Sequence, residues 1–329
     1  MDLLPLPAFD LTHTFLVTFL ALAIERLVGY PKWLHQRLGH PVEWYGSLLN
    51  RFDLKFNTPD KSPGWNRLKG VFTMIALILL VLLITLPLTW VLQNFEYSAI
   101  IEALIAVPLL AQKELKRFVA RVADALDIGI VEGRQAVSHI VGRNTSNLNV
   151  SDVSRAAIES LAENTSDGII APAFWLAIFG LPGIAVYKVI NTADSMIGYK
   201  SDKHLTFGWA AARIDDLVNL VGSRLTGLLF AGAASLTNPP ATARSLATIW
   251  QDAKKHTSPN AGWPEAAVAG VLDIRLGGPR SYAGNIVDLP WMGDGREELE
   301  ADDIRRALKL YNQALILLMI ILFFCWLFV

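Results

Sequence analysis

The sequence predicts an all-α fold, a polytopic membrane helix bundle, from its composition and the distribution of its charges. Of the 329 residues, 53% are hydrophobic and only 18% are charged, and the mean hydropathy is +0.37. Soluble proteins usually carry about a quarter charged residues. Long windows contain no charge at all, whereas the segments between them contain most of it. This pattern is typical of membrane spans, so we expect a single integral-membrane domain over residues 1–329.

Four apolar segments qualify as spans in different degrees. Gly70–Leu92 and Tyr311–Val329 are the strongest, because each reaches or approaches the roughly 20 apolar residues that cross a bilayer. Leu11–Val28 is weaker because Glu25 and Arg26 lie near its end, and Ser98–Ala111 is short.

Two further apolar segments are interrupted. Pro172 and the sequence GLPG at Gly180–Gly183 break Ile169–Tyr187, and Arg224 breaks Leu217–Leu236. Membrane proteins tolerate such breaks where neighbouring protein satisfies the backbone. We therefore expect these segments to be re-entrant or packed inside the bundle.

Basic residues orient the first half of the chain. No lysine or arginine precedes the first span, seven lie within Tyr30–Lys69, and seven more lie within Gln112–Asp167. The positive-inside rule therefore places both segments in the cytoplasm. Residues 112–167 are expected to form a cytoplasmic helical segment, with Ser151 as a candidate N-cap, and residues 238–310 a polar, loop-rich segment. Charge leaves the topology after Asp167 open.

Two classes of chemistry are disfavoured by composition. The net charge of −1 gives no indication of a nucleic-acid partner. Cys325 is the only cysteine, which excludes an intramolecular disulfide and a cysteine metal cluster. No oligomeric state is predicted.

Acidic residues recur every fourth position in ESLAENTSDGIIAP, as Glu159, Glu163 and Asp167. Four residues advance a helix by about 400°, so the three share one face. Like charges at this spacing cost about 0.2–0.5 kcal/mol per pair in water. A bound cation such as Mg²⁺ would relieve that repulsion. The alternative is a solvated acidic face paired with Arg155 or Arg143.

A second polar face follows in YKVINTADSMIGYK. On a helix, Lys188, Asn191 and Asp194 lie together with Gly198, opposite the apolar residues. Ionisable groups beside an apolar segment are expensive unless they are paired or functional. Lys188 could pair with Asp194, or the face could contact a ligand.

A third cluster, in AARIDDLVNLVGSR, contains Arg213, Asp215 and Asp216. Paired aspartates suit Mg²⁺, and arginine suits phosphate through two parallel hydrogen bonds. A salt bridge between Arg213 and Asp216 is the alternative interpretation.

The fourth cluster is predicted in loops, over His256–Gly270 and Leu276–Asp294. His256 could act as a general base or be a polar loop residue, and Asn260 and Glu265 are nearby. Trp263 and Trp291 could line a pocket or belong to an interfacial belt.

Taken together, these segments resemble one known family, the membrane-bound adenosylcobinamide-phosphate synthases of cobalamin biosynthesis. The similarity lies in AENTSDGIIAP, YKVINTADSMIGY, ARIDD, HTSPNAGWPEAAVAG and LGGPRSYAGNIVDLPWMG, and in the earlier segments IVGRNTSNL and HPVEWYG. The motifs occur in order from about Gly29 to the C-terminus.

The resemblance implies a multi-pass enzyme of the bacterial cytoplasmic membrane. It would use ATP and Mg²⁺ to join the carboxylate of adenosylcobyric acid, a corrinoid, to aminopropanol or its phosphate. We then expect catalytic roles for Glu163, Asp167, Asp194 and His256. The expected metal ligands are Glu159, Glu163, Asp167, Asp215 and Asp216, and the expected ATP- and phosphate-binding residues are Arg143, Asn164, Lys188, Asn191, Arg213 and Asn260.

One departure from the family pattern stands at Tyr30, where the family has an aspartate between glycine and proline. It could mark an altered amine preference or a catalytically divergent membrane sensor. A transporter is a further alternative, because broken helices with polar residues at membrane depth are typical of transporter sites.

Overall fold

The structure is a computed structural model that describes residues 10–58, 62–142, 144–235, 238–282 and 285–329. Helices dominate it, as predicted. They are α1 (Leu11–Leu27), α2 (Lys32–Leu38), α3 (Pro41–Phe56), α4 (Pro63–Leu92), α5 (Ser98–Ala106), α6 (Gln112–Ile128), α7 (Ile130–Val137), α8 (Val150–Thr165), α9 (Ala171–Ala193), α10 (Trp209–Ser235), α11 (Pro239–Asp252), α12 (Gly262–Leu272) and α13 (Ala301–Phe328).

Short elements complete the description. Two π-helical turns, Ser166–Ile170 and Asp194–Gly198, follow α8 and α9, and two 3₁₀ turns occupy Val107–Leu109 and Ala253–Lys255. Four short strands form two antiparallel ribbons. The strands are β1 (Leu276–Gly277), β2 (Arg280–Tyr282), β3 (Asn285–Val287) and β4 (Trp291–Met292), with β1 paired to β4 and β2 to β3.

Within the part of the chain that the structure describes, four helical stretches are long and apolar enough to cross a membrane. They are Pro63–Leu92, Val150–Gly198, Trp209–Ser235 and Ala301–Phe328, and the bent pair Leu11–Leu27 and Lys32–Phe56 would make a fifth. The chain is therefore a multi-pass helical membrane protein, as its composition predicted. The span predicted at Ser98–Ala111 is wrong, since α5 has only nine residues.

The chain divides into two compact units. Unit 1 contains Met1–Ala111, Ala171–Asn219 and Leu322–Val329, and unit 2 contains Gln112–Ile170 and Leu220–Ile321.

Unit 1 is built on the packing of α4 against α9. Met74 and Leu77 of α4 meet Val189 and Ile190 of α9 in a core that also includes Phe207, and all five are nearly inaccessible. The predicted break in this region is real: Gly180 has φ +61° and Pro182 follows it within α9. The backbone disturbed by the kink is satisfied by a neighbouring helix, as expected for a broken span.

The contact at the kink comes from α1. Thr14 Oγ1 donates a hydrogen bond to the carbonyl oxygen of Ala177 at 2.6 Å. An ionic cluster around the buried Asp53 also holds the segment after Gly198 in place. Asp53 accepts hydrogen bonds from Lys203 Nζ at 2.6 Å and from His204 Nε2 at 3.3 Å.

Unit 2 places α8 against α6, α7 and α12. The N-cap of α8 is Asn149, whose side chain accepts from the Asp152 backbone N–H at 2.8 Å in a capping box. The expectation that Ser151 is the N-cap is wrong, because its hydroxyl donates instead to the carbonyl of Glu297 at 3.1 Å. The prediction of a loop over His256–Gly270 is also wrong in part, since α12 occupies Gly262–Leu272.

Candidate functional site

One polar cavity in unit 2 collects much of the predicted chemistry. Its volume is about 410 Å³, within the range of small-molecule sites. It is lined by Ile140, Val141, Gly142, Ala156, Glu159, Ser160, Glu163, Asn164, His256, Thr257, Glu265 and Leu289. Four predicted site residues, Glu159, Glu163, Asn164 and His256, are therefore brought together from two distant parts of the chain.

The α8 wall of the cavity carries two carboxylates in different environments. Glu159 is buried, and its Oε1 accepts a hydrogen bond from the Gly277 backbone N–H at 2.7 Å. Glu163, one turn later, is exposed. One acid is thus fixed by the backbone of β1, whereas the other is exposed.

Neutral oxygens and amides lie between these acids. Ser160 Oγ donates to the carbonyl of Ile140 at 2.9 Å, and Asn164 Nδ2 donates to the carbonyl of Ser160 at 2.9 Å. The side-chain oxygen atoms of Ser160 and Asn164 are uncharged, and they could bind a cation together with the two carboxylates.

The opposite wall pairs His256 with Glu265. His256 Nδ1 lies 3.0 Å from the Ser258 backbone nitrogen and 3.3 Å from the Ser258 carbonyl oxygen, so the Ser258 backbone orients the ring, and Nε2 is its other nitrogen. That Nε2 lies 3.9 Å from Glu265 Oε1, and Glu265 is only 3% exposed. This wall therefore sets an imidazole near a buried carboxylate.

The acidic stripe is only partly what its spacing predicted. Asp167 falls in the π-helical turn Ser166–Ile170 and is not among the residues that line the cavity. A π turn changes the number of residues per turn, which a spacing rule for an α-helix does not include. The proposed pairing of the stripe with Arg155 is wrong, because Arg155 bonds to Asp152 at 2.9 Å. Arg143 lies outside the described residues.

Unit 1 holds the other acidic cluster in a hydrogen-bonded network. Tyr187 donates from its hydroxyl to Asn219 Oδ1 at 2.8 Å, and Asn219 Nδ2 donates to Asp215 Oδ2 at 2.9 Å. Asn191 Nδ2 lies 3.5 Å from Asp215 Oδ1. Neutral amide donors therefore orient a carboxylate that is only 8% exposed without neutralising it.

Asp194 and Asp216 lie near enough to Asp215 for the three acids to repel one another. Gly198 makes room for Asp194, since a Cβ atom there would stand 1.9 Å from Asp194 Oδ1. Arg213 Nη1 is 3.5 Å from Asp216 Oδ2, which is the salt bridge that the sequence left as an alternative.

Two other predicted binding residues have defined surroundings. Lys188 is buried, its Nζ lies 6.0 Å from the centre of the Tyr187 ring, and it interacts electrostatically with His40. Asn260, in unit 2, accepts hydrogen bonds from Ser223 Oγ at 3.1 Å and from Arg224 Nη1 at 2.9 Å.

Tyr30, the departure from the family pattern, has a structural function here. Its hydroxyl donates to the carbonyl of Gly39 at 2.8 Å, and its ring meets the His40 ring edge-on at 5.2 Å. An aspartate could make neither contact. The tyrosine therefore links this segment to Gly39 and His40 in a way that the aspartate of the family pattern could not.

The two tryptophans predicted for a pocket or a belt each lie under an arginine. The Arg224 guanidinium is 4.6 Å from the centre of a Trp263 ring, and the Arg155 guanidinium is 5.0 Å from a Trp291 ring. Neither tryptophan lines the acidic cavity.

Metal binding stays a prediction. Within the described ranges, no group of three or more His, Cys, Asp or Glu side chains has the arrangement of a metal site. The five predicted ligands also fall in both units, with Glu159, Glu163 and Asp167 in unit 2 and the adjacent Asp215 and Asp216 in unit 1.

Sequence reasoning missed several residues of these sites. Glu265 was noted but given no role, and Ser160, Thr257 and Tyr187 were not singled out for one. For Tyr187, its position four residues before Asn191 was an available signal.

The fold and the cavity define a class: a multi-pass helical membrane protein with an acid-lined cavity. Comparison with known proteins identifies the family. The model of the CobD/Cbib protein family matches residues 18–311, so the chain belongs to this family.

Relatives cover nearly the whole chain. It is 46% identical over 302 residues to the cobalamin biosynthesis protein CobD of Rhodobacter capsulatus, covering 90% of this chain and 92% of the relative. It is 47% identical over 304 residues to the protein of the same name from Sinorhizobium fredii, covering 91% and 93%. No solved structure matches the chain.

Proposed function

We propose that this protein acts in cobalamin biosynthesis as an amide-forming ligase of the bacterial cytoplasmic membrane. It would convert adenosylcobyric acid to adenosylcobinamide or its phosphate by attaching aminopropanol or aminopropanol phosphate. Family membership supports the pathway, and the acid-lined cavity of unit 2 is the observation that carries the chemistry.

The cavity suits the amine partner of the reaction. An aminopropanol carries a primary ammonium group at neutral pH, and Glu265 on the wall opposite α8 offers a carboxylate to bind it. Glu265, with His256 3.9 Å away, would accept the proton that the ammonium must lose before its nitrogen can attack. In the proposed reaction, the corrinoid carboxylate first takes a phosphoryl group from ATP, which leaves as ADP. The free amine then forms the C–N bond at the carbon of this acyl phosphate, and phosphate leaves with the C–O electron pair.

Mg²⁺ fits the chemistry of the α8 wall. The ion prefers oxygen ligands and commonly uses one or two carboxylates, with water and substrate phosphate completing its shell. Glu163 and Glu159, with oxygen atoms of Ser160 and Asn164 nearby, supply such a donor set. When bound, Mg²⁺ would neutralise phosphate charge and polarise the P–O bond.

ATP fits the lining of this cavity less well. Among its described lining residues there are three carboxylates and no lysine or arginine. A triphosphate needs cationic partners, and Arg143, Lys188 and Arg213 remain the phosphate-binding candidates that the sequence suggests. Family resemblance alone supports ATP as the co-substrate.

Complementation tests this function. A bacterial strain lacking its own synthase is supplied with this gene, and growth is measured on cobyric acid and on cobinamide as alternative precursors. We expect the gene to restore growth on cobyric acid, whereas an empty vector supports growth only on cobinamide. Failure of the well-expressed wild-type protein to restore growth on cobyric acid would contradict the proposal.

A further inference from the structure

Arg224 lies within an apolar part of α10, a candidate membrane span. The sequence marked it only as an interruption of Leu217–Leu236. Arginine stays protonated in proteins, and a charge at membrane depth is costly unless something offsets it. What surrounds its guanidinium is therefore informative.

The guanidinium is held by neutral oxygens. Its Nη1 donates to the carbonyl of Leu220 at 3.1 Å, to Ser223 Oγ at 2.9 Å and to Asn260 Oδ1 at 2.9 Å. All three of these acceptors are uncharged, and none is a carboxylate. The contacts orient Arg224 but leave its positive charge in place.

Trp263 fixes the plane of the guanidinium. The guanidinium carbon lies 4.6 Å from the centre of the Trp263 ring, within the range of a cation–π contact. Gly227, almost one turn along α10, allows this close approach, since a Cβ atom there would stand 3.2 Å from the Trp263 carbonyl oxygen.

One edge of the guanidinium remains for a ligand. All the hydrogen bonds described for Arg224 come from Nη1, so Nε and Nη2 present two parallel donors without a described protein acceptor. Two parallel donors on a fixed plane match the oxygens of a phosphate group.

We propose that Arg224, positioned by Ser223, Asn260 and Trp263, binds a phosphate group. The phosphate could belong to a soluble phosphorylated ligand or to a phospholipid headgroup, since both offer the same oxygens. The proposal does not rest on the ligase reaction, because phosphate binding is measured without turnover.

The test measures phosphate binding by the full-length protein purified in a neutral detergent. The variants are Arg224→Lys, which keeps the charge but loses the planar fork, and Trp263→Leu, which removes the stacking surface. Arg117→Lys is the matched control, because Arg117 also contacts a ring, at 5.3 Å from Phe118, but pairs with Glu114. Thermal unfolding of each variant verifies that it is folded.

Two probes separate the sources of phosphate. Calorimetry with inorganic pyrophosphate tests a soluble ligand. Native mass spectrometry with phosphatidylglycerol, against an uncharged and phosphate-free glycolipid, tests a headgroup. We expect Arg224→Lys to weaken binding of one probe by about 10- to 100-fold, the loss typical of a hydrogen bond to a charged group. Trp263→Leu should weaken the same probe, and Arg117→Lys should weaken neither.

The results decide between a ligand site and a purely structural arginine. Loss of pyrophosphate binding assigns the site to a soluble phosphate, and loss of phosphatidylglycerol binding assigns it to a lipid. The proposal would be overturned if the Arg224→Lys variant binds both probes like the wild type while its melting temperature falls. So would a wild-type protein that binds neither probe.

Discussion

The carboxylates of the two acidic clusters in this protein lie in different environments. In unit 1, Asp215 is nearly buried and receives amide hydrogen bonds from Asn191 and Asn219. In unit 2, Glu163 stands exposed at the edge of a cavity. Because amides orient a carboxylate without removing its charge, the first cluster is preorganised, whereas the second is open to solvent.

This difference separates two kinds of mutational effect. Changes in the open cluster should reduce activity more than stability. Changes in the preorganised cluster should reduce both, since a buried carboxylate or amide left without its partner carries a desolvation cost.

The largest effect is expected for Glu163→Gln. The change removes a carboxylate from the open cavity while keeping the shape of the side chain, and we expect it to abolish growth on cobyric acid. Growth on cobinamide should be unaffected. Glu132→Gln, on an exposed part of the same unit, is the control. Normal growth of Glu163→Gln on cobyric acid would remove Glu163 from the site.

Glu265→Gln should come next. If Glu265 accepts the proton of the amine, its loss should lower kcat by about 10²- to 10⁴-fold, the usual contribution of a general base. Because the imidazole next to it only supports the carboxylate, His256→Gln should cost less. Initial rates of the purified enzymes check both expectations, and a larger loss for His256→Gln would reverse the assigned roles.

Asp215→Asn should combine the two kinds of effect. A neutral amide there would keep the hydrogen bond from Asn219 and lose the one from Asn191, at a cost of about 1–3 kcal/mol of unfolding free energy for a buried group. We expect this loss to exceed the gain from weaker repulsion by Asp194 and Asp216, since like charges at a helix surface cost about 0.2–0.5 kcal/mol per pair. We expect a lower thermal midpoint in detergent together with reduced activity. Lost activity with an unchanged midpoint would contradict this expectation, since Asp215 would then affect activity alone, as we expect for the open cavity.

The smallest effect is predicted for Tyr187→Phe. It removes the hydroxyl that donates to Asn219 Oδ1, at a cost of about 1 kcal/mol, without touching a carboxylate. The thermal midpoint should fall by a few degrees, and kcat should change little. A loss of activity comparable to that of Asp215→Asn would show that the network acts in catalysis beyond holding Asp215.

The sequence predicted the helices better than the sites. Apolar windows marked the long spans, and helical spacing placed Asn191 and Asp215 in clusters that the structure retains. The cavity depends instead on contacts over long sequence separations, since Glu265 lies more than 100 residues after Glu159. Local patterns carry no information about such contacts.

Local deviations from ideal helices also escaped prediction. The stripe rule assumed 3.6 residues per turn through Asp167, but a π turn intervenes. The sequence does not identify the N-cap of α8, because asparagine and serine both favour that position. The hydroxyl of Ser151 instead forms hydrogen bonds with the backbone of Glu297 and Leu299, which are distant in the sequence.

The central claim is that the open acidic cavity joins an amine to a corrinoid carboxylate. Its most direct test is mass spectrometry of the products formed by purified protein with adenosylcobyric acid, ATP, Mg²⁺ and aminopropanol or its phosphate. We predict a product with the mass of the corresponding amide for the wild type and for Glu132→Gln, and none for Glu163→Gln. Unreacted adenosylcobyric acid with the folded wild-type protein, or equal amide formation by Glu163→Gln, would contradict the account.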